Sequence, residues 1–341
     1  MCDPLPQRGG YRGHGWWLSV NRISLILPFM TRSFQISIDD LSRQAWDRAL
    51  AETPAPYQQD WAYGEVMAGK GARVIRAAIR SDAGELCGLA QFLVRPFALV
   101  ARFGLCSYGP VWLTELSSDE QNAALRALRR AIRLSWPRLV AFTLPDDLQP
   151  SGFSKIMTGD ATVMLDLTQS EEALRAELDG KWRNRLVAAE KSELTFSGSG
   201  LKPGQYEWLL EKESEQRRAR GYRGLPPDVT AEWQALKAKH AGGDRKAGLR
   251  IWRADLGREA AGAMMFLIHG AGATYHIGWS SDAGRKAGAH NLILWNAMLE
   301  LKQLGIKRLD LGGVNTASGA GIARFKLGTG GQVIQRSGTF V

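Results

Sequence analysis

The sequence predicts a mixed α/β protein of two domains, and three observations carry this prediction. The chain has 341 residues, which at about 150 residues per domain suggests two domains. Hydrophobic residues make up 45% and charged residues 23%, a balance that excludes disordered, fibrous and mini-protein classes. Short β-like runs alternate with helical patterns in the first half, and predicted helices precede predicted strands in the second. Each half is therefore expected to form a mixed, mostly antiparallel sheet flanked by helices.

The first 29 residues are predicted to lie outside the folded domains. Basic residues precede an apolar run here, which loosely resembles a signal peptide. Asn21 and Arg22 split that run, and no small-residue cleavage site follows. Met30 then opens a stretch typical of a folded domain. We interpret residues 1–29 as a disordered or mis-called extension, with secretion as the alternative.

The first folded half contains a predicted hairpin, a helix and a buried strand. Residues 74–79 and 86–94 flank an Asp-Ala-Gly turn, the pattern of a β-hairpin. Ser118 with Gln121 three residues later is predicted to open a helix. The apolar run at 139–144 predicts a buried strand.

The second half is predicted to begin with helices and to continue as a sheet. The predicted helices are 171–192, 204–221 and 230–240. The predicted strands are 249–255, 260–268 and 272–279, followed, after a loop at 280–290 and a further helix, by 307–311 and 332–339. The domain boundary is placed at residue 165, which gives domains 30–165 and 166–341.

Cysteine content indicates the compartment. Cys2, Cys87 and Cys106 are odd in number and lack the spacing of a metal site. Cys87 and Cys106 stand among apolar residues as core fillers, so we expect a reducing cytoplasm, and no metal is predicted.

The charge balance favours anionic partners. The formal net charge is +10, and the first 29 residues, with three arginines and one aspartate, leave +8 for the rest. Such a surplus favours nucleotides, phosphates, tRNA or anionic lipid headgroups without choosing among them. No run approaches the roughly 18 apolar residues of a membrane-spanning helix.

A possible anion-binding loop joins a predicted strand to a predicted helix at Trp279–His290, WSSDAGRKAGAH. Glycines let the backbone approach an anion, and the free amides of a helix N-terminus bind it. Arg285, Gly288 and His290 form a pattern similar to the Arg/Gln-x-x-Gly-x-Gly/Ala loop with which GNAT acetyltransferases hold the coenzyme A pyrophosphate. The alternative is a glycine turn with a solvated arginine.

Five segments together resemble one protein family. They are 307–315 (KRLDLGGVN), 322–331 (IARFKLGTGG), 181–191 (KWRNRLVAAEK), 58–64 (QQDWAYG) and 108–111 (YGPV). Their types and order resemble the FemA/FemB/FemX family of the GNAT superfamily. The Trp-Arg-Asn and Phe-Lys motifs are the most specific parts of a resemblance that covers most of the chain after residue 57.

The resemblance implies tandem GNAT-like domains that transfer an acyl or aminoacyl group to an amine. Characterised members of the family use aminoacyl-tRNA to extend peptidoglycan precursors. The resemblance implies that Lys326, preceded by Phe325, is the functional lysine, because a fixed ammonium stabilises the oxyanion of aminolysis. It also implies that Arg183 contacts acceptor phosphates; the alternative is a solvated helix surface paired with Glu177 or Asp179.

Four further residues are candidates for the site. A histidine titrates near neutrality and would deprotonate an attacking ammonium, which makes His276 and its neighbour Tyr275 candidates; a packed strand residue is the alternative. Asp310 and Asn315 lie at the end of a predicted strand beside the Phe-Lys motif. They would orient substrate there, and capping or turn roles explain them equally well.

The donor stays open between acyl-coenzyme A and aminoacyl-tRNA, either of them a co-substrate and not a permanently bound cofactor. The loop at Arg285 favours coenzyme A, although His290 replaces a small residue of the usual pattern, and Lys326 favours the tRNA chemistry. We expect a monomer that acts on a small-molecule or cell-envelope precursor acceptor, with a peripheral membrane contact left open. A non-catalytic protein that binds anionic ligands is the third alternative.

Overall fold

A computed structural model of the chain describes residues 33–97, 101–144, 148–199, 202–221, 225–240, 248–315 and 319–341. The predicted extension, residues 1–29, lies outside them. Within these ranges the helices are α1 Arg43–Leu50, α2 Trp61–Gly69, α3 Ser118–Ala131, α4 Glu171–Glu177, α5 Gly180–Glu190, α6 Pro203–Arg220, α7 Pro227–His240, α8 Asp282–Ala287, α9 Ala289–Gln303 and α10 Ala320–Leu327. The strands of the same ranges are β1 Phe34–Ile38, β2 Arg73–Ser81, β3 Leu86–Phe97, β4 Ala101–Ser107, β5 Val111–Trp112, β6 Arg138–Leu144, β7 Lys155–Thr158, β8 Ala161–Asp166, β9 Leu194–Gly198, β10 Gly248–Leu256, β11 Glu259–His269, β12 Gly272–Ser280, β13 Arg308–Gly313, β14 Gln332–Gln335 and β15 Gly338–Phe340.

Two mixed sheets organise the fold. The first has the order β1-β2-β3-β4-β6-β15-β7, with β5 paired to β3, and the second has the order β14-β8-β13-β12-β11-β10-β9. Most neighbours are antiparallel, whereas β4 with β6 and β12 with β13 are parallel. The predicted mixed α/β class is confirmed. No helix in the described part of the chain is both long and apolar enough to cross a membrane.

The chain crosses between the sheets twice. β8 lies in the second sheet although it begins before the expected boundary at residue 165, and the late strand β15 returns to the first sheet between β6 and β7. The division at 165 therefore stays a prediction, and sheet membership changes near Gly159 and again near Ser337. The crossing segments touch, because a Cβ on Gly159 would overlap the carbonyl oxygen of Arg336, so only glycine fits there.

Helix caps explain where the predicted elements and the observed ones differ. The predicted helix 171–192 is wrong as a single element: Leu178 adopts extended backbone, and the Asp179 carboxylate caps a second helix by accepting from Lys181 and Trp182. The predicted loop at 280–290 is mostly helix α8, capped by Ser281. In both segments a side-chain N-cap starts a helix. The capping box of α3 is Ser117 with Glu120, one residue before the predicted pair.

Helices cover both faces of each sheet. Helices α4, α5 and α9 pack on one face of the second sheet, and α6 and α7 on the other. Helix α3 packs on one face of the first sheet and α1 on the opposite one. Helix α2 joins the cluster of α6 and α7, so the two halves share one hydrophobic core.

A buried ion pair lies inside this shared core. The Asp60 carboxylate caps α2 and accepts from the Trp233 indole at 3.0 Å and from Lys237 Nζ at 2.7 Å. Burial raises the pKa of Asp60, but the charge and hydrogen bonds of Lys237 and the bond from Trp233 outweigh it, so the pKa lies below its ordinary value. The pair therefore ties the first half to α7.

We expect Asp60→Asn to lower the free energy of unfolding by about 3 kcal/mol at neutral pH, because it leaves the Lys237 ammonium buried without its counter-charge. The folded-state pKa of Asp60 is lowered, so its stabilisation is present above the unfolded value near 3.8 and is lost as the pH falls through the folded value. Urea unfolding at a series of pH values should show the difference between variant and wild type shrinking below pH 3.8.

Asp40→Asn is the matched control, because Asp40 faces Arg80 at 3.9 Å with half of its side chain in solvent. Its effect is expected to stay within about 0.5 kcal/mol. An Asp60→Asn chain as stable as this control would contradict the stabilising role of the buried pair.

Candidate functional site

The two most specific sequence motifs pack against each other. Trp182 of α5 and Phe325 of α10 have ring centroids 5.9 Å apart, and the Trp182 indole donates to the Phe325 carbonyl oxygen at 3.1 Å. A Cβ on Gly328 would lie 2.9 Å from the Trp182 ring. The Asp179 amide also donates to the Gly328 carbonyl at 2.9 Å. Helix α5 therefore holds the end of α10 that carries Lys326.

Lys326 is buried in the fold. Its side chain runs from α10 toward the turn at the end of β13, where Nζ donates to the Gly313 carbonyl oxygen at 2.9 Å. Gly312 has φ +77°, and a Cβ there would lie 3.5 Å from Nζ. Burial lowers the pKa of Lys326, and the nearby Asp310 carboxylate opposes that shift. The Gly-Gly turn and the Phe-Lys motif are thus two parts of one site.

Tyr275 lines the same site. Its ring centroid lies 6.0 Å from Lys326 Nζ, and the ring packs on Phe266 at 5.7 Å. A Cβ on Gly278 would overlap the Tyr275 hydroxyl oxygen, so Gly278 leaves the room that the hydroxyl occupies. The structure thus brings Tyr275 and Lys326 together.

Asp310 organises the turn beneath Lys326. Its Oδ1 accepts from the Gly312 amide at 2.7 Å and from the Thr162 hydroxyl, and its Oδ2 accepts from Arg336 at 2.9 Å. Arg336 also pairs with Asp160 at 2.7 Å. Asp310 therefore fixes the turn that faces the lysine.

The first half reaches this site through Tyr108. The Arg336 guanidinium lies 4.4 Å from the centroid of the Tyr108 ring. Burial raises the pKa of Tyr108, the Asp160 charge adds to that shift, and Arg336 opposes it. The sequence analysis did not predict either residue as part of the site. Tyr108 belongs to the YGPV segment, a motif from which it could have been found, whereas Arg336 lies in no motif.

His276 faces a different environment. It sits at a bulge between β12 and β11, and its Nε2 is 2.8 Å from the Thr230 hydroxyl of α7. Burial lowers its pKa to about 4. Tyr275 packs with the cluster beneath α5 and α9, while His276 points to the α7 side, so the structure separates these two neighbours. A role for His276 as a base stays a prediction.

The predicted coenzyme A residues lie at the junction of α8 and α9. The Arg285 guanidinium donates to the Ser280 carbonyl at 2.8 Å and pairs with Asp282. Gly288 has φ +79°, and a Cβ there would lie 3.2 Å from Ala189 of α5. The backbone amides of Gly284, Arg285, Gly288, Asn291 and Leu292 bond within the chain. Binding of a pyrophosphate here stays a prediction, on helix where the sequence predicted a loop.

His290 packs beside the Phe-Lys motif. Its Nε2 is 3.0 Å from the Trp279 carbonyl, and its ring centroid is 6.0 Å from that of Phe325. Burial lowers its pKa. His290 thus packs against Phe325.

Arg183 and Asn315 keep their predicted roles untested. Arg183 is exposed on α5, the helix that holds α10, and its guanidinium donates to the Leu178 carbonyl at 3.0 Å. Asn315 follows β13, two residues after the carbonyl that binds Lys326. Both therefore lie on the segments that frame the lysine.

Comparison with known proteins gives the class. Residues 175–330 match the family model described as acetyltransferase (GNAT) domain. The crystal structure of FemX is similar with a TM-score of 0.70 at 13% identity, covering 89% of this chain and 96% of that one. A conserved protein of unknown function from Bacteroides thetaiotaomicron is similar with a TM-score of 0.52 at 13% identity, covering 90% and 98%. No curated protein matches the sequence.

The domain match identifies residues 175–330 as a GNAT-type acyltransferase domain. The matched residues include every member of the site around Lys326 except Tyr108, Asp160, Thr162 and Arg336. The predicted resemblance to the FemA/FemB/FemX family is confirmed: residues 175–330 match a GNAT domain, and the fold of the chain is similar to that of FemX.

We expect Trp182→Phe to lower the free energy of unfolding by about 1 kcal/mol, because the indole bond to the Phe325 carbonyl is lost. Trp182→Ala should cost about 3 to 5 kcal/mol, since it opens a cavity between α5 and α10. Chemical denaturation measures both. Trp136→Phe, at a side chain 87% exposed, is the control and should be neutral; equal losses in all three variants would contradict the packing role of Trp182.

Proposed function

We propose that the chain transfers an acyl or aminoacyl group to an amine of a cell-envelope-type or small-molecule acceptor, as a cytoplasmic monomer. The observation that carries the proposal is Lys326, a buried ammonium held at the Gly312–Gly313 turn. Both sheets contribute to this site, through Tyr108 and Arg336, which supports action without a partner subunit. Cys87 and Cys106 are buried free thiols, which supports a reducing compartment.

The chemistry that suits this site is aminolysis of an activated carbonyl. A neutral acceptor amine attacks the carbonyl carbon of the donor, and the carbonyl oxygen becomes an oxyanion. The Lys326 ammonium stabilises that charge, strongly so because little solvent screens it. The intermediate then collapses, the bond to the donor's oxygen or sulfur breaks, and the leaving group takes up the proton that the amine releases.

The aminoacyl donor is the better-supported one. The Gly288 amide bonds to the Arg285 carbonyl and α5 covers Gly288, so this glycine does not open its backbone to a pyrophosphate. An amino acid esterified to tRNA needs no pyrophosphate site here. The match to an acetyltransferase domain favours the second candidate, an acyl-coenzyme A-dependent N-acyltransferase acting on a sugar, lipid or peptide.

We expect Lys326→Met to lower kcat by about 10²- to 10³-fold with little change in KM, the usual cost of removing one oxyanion stabiliser. Burial lowers the pKa of Lys326, so wild-type activity should decline on the alkaline side at a lower pH than for a solvated lysine, as the ammonium loses its proton. Steady-state kinetics over a pH series measures both effects.

Lys191→Met, at an exposed position at the end of α5, is the matched control and should retain wild-type rates. Normal turnover by the Lys326→Met enzyme would contradict the assignment of the lysine.

The donor class can be decided by ligand-induced stabilisation. A ligand that binds the folded chain raises Tm with its concentration, so aminoacyl-tRNA should give a saturable rise and acyl-coenzyme A none. Arg285→Glu should leave the tRNA response unchanged. Saturable stabilisation by a thioester alone, abolished by Arg285→Glu, would establish the second candidate instead. Binding of either donor without transfer to any amine would indicate the non-catalytic alternative.

A further inference from the structure

An arginine cluster with exposed aromatic rings occupies one end of the first sheet. From Gln121 to Leu144 the sequence has five arginines and no acidic residue. These five, Arg126, Arg129, Arg130, Arg133 and Arg138, lie on α3, at the start of β6 and on the segment between them. That segment also carries Trp136, whose side chain is 87% exposed.

Strand register places a second aromatic group at the same end. Arg138 pairs with Arg102 of β4, and Arg102 pairs with Pro96 of β3. Phe97 follows directly and is 57% exposed. Neighbouring strands lie about 4.8 Å apart, so the ends of β3 and β6 are separated by only about 10 Å. Trp136, Phe97 and the arginines therefore share one end of the sheet.

Internal contacts hold part of this cluster in place. The Arg129 guanidinium lies 4.4 Å from the Phe153 ring and donates to the Gly152 carbonyl at 3.2 Å. Arg138 donates to the Arg129 carbonyl. A cavity of about 280 Å³ lies between them, lined by Arg129, Arg130, Arg138, Val140 and Val341. The surface therefore combines fixed positive charge with exposed aromatic area.

We propose that this end of the first sheet, defined by Phe97, Arg102, Arg130, Arg133 and Trp136, docks on a bilayer that contains anionic phospholipid. Large exposed aromatic rings beside basic side chains are the composition of interfacial anchors: the rings enter the headgroup region and the guanidinium groups meet lipid phosphates. Charge complementarity sets the choice of an anionic bilayer, because no acidic residue interrupts the arginine run.

A nucleic acid is the competing partner for a basic aromatic surface. Stacking platforms for single strands hold their rings inside a groove that follows the backbone. Phe97 ends β3, Trp136 lies two residues before β6, and both have most of their surface in solvent, an arrangement that suits insertion into a lipid surface. The bilayer is therefore the occupant that the geometry favours.

The docking surface lies away from the candidate site. Arg102 is at the start of β4 and Tyr108 follows its end, six residues later, which in a strand is about 20 Å. Docking therefore does not rest on the proposed function, and Lys326→Met should bind vesicles as the wild type does. Failure of the docking proposal and failure of the proposed function are thus distinguishable.

The test is co-sedimentation of the full chain with vesicles of phosphatidylcholine that do or do not contain phosphatidylglycerol. The wild type should bind only the anionic vesicles, and more weakly at high salt. Arg130→Glu with Arg133→Glu should lower the partition coefficient by roughly tenfold or more. Trp136→Ala should also weaken binding and remove the quenching of tryptophan fluorescence by brominated lipid.

Lys239→Glu with Arg258→Glu is the matched control, because it makes the same charge change at exposed positions of the second half. It should change the partition coefficient by less than about twofold, since charges more than a Debye length from the bilayer are screened. Equal losses in both double variants, or no binding to anionic vesicles, would overturn the proposal. Binding of unacylated tRNA that depends on Arg130 and Arg133, without vesicle binding, would replace it with the nucleic-acid partner.

Discussion

The pairing of Asp310 with Arg336 is the interaction on which the candidate site depends. One carboxylate oxygen fixes the Gly312 turn, and the other holds a guanidinium that also reaches Tyr108 of the first half. Both side chains are mostly buried, so the pair acts with little solvent screening. Without the carboxylate, the turn that meets Lys326 would lose its capping bond and the lysine its nearest opposing charge.

The strand exchange makes this pair possible. Arg336 lies between β14 of the second sheet and β15 of the first, where the chain passes from one sheet to the other. The carbonyl oxygen of Arg336 lies against Gly159, which is the other point where the chain passes between the sheets. The residue therefore stands where segments of both sheets meet, and from there its side chain reaches Asp310 in one half and Tyr108 in the other. A chain divided at residue 165 into two separate sheets would have no such position.

Sequence patterns predicted the elements better than their assembly. The hairpin at 74–79 and 86–94 is confirmed because alternation and a turn signal are local. No local pattern in the sequence indicates that β8 belongs to the second sheet and β15 to the first, since most of their pairing partners lie far away in the chain. Asp60 and Lys237 are 177 residues apart, so no spacing rule connects them. The segment predicted as an anion-binding loop is mostly helix. The Ser281 cap and the contact of Gly288 with α5 stabilise helix there despite the glycines of the segment.

The site residues show the same division between local and distant information. Lys326 and Phe325 were found through a short motif, and their packing on Trp182 explains why the Trp-Arg-Asn motif accompanies them: the indole bonds the backbone of the Phe-Lys segment itself. Tyr275 and His276 are adjacent in sequence, yet Tyr275 packs with the cluster of α5 and α9 whereas His276 meets Thr230 of α7. Side chains alternate between the two faces of a strand, so a strand rarely delivers two consecutive side chains to one cleft. Tyr275 is therefore the neighbour that shares the environment of the lysine, while a role for His276 as a base stays a prediction.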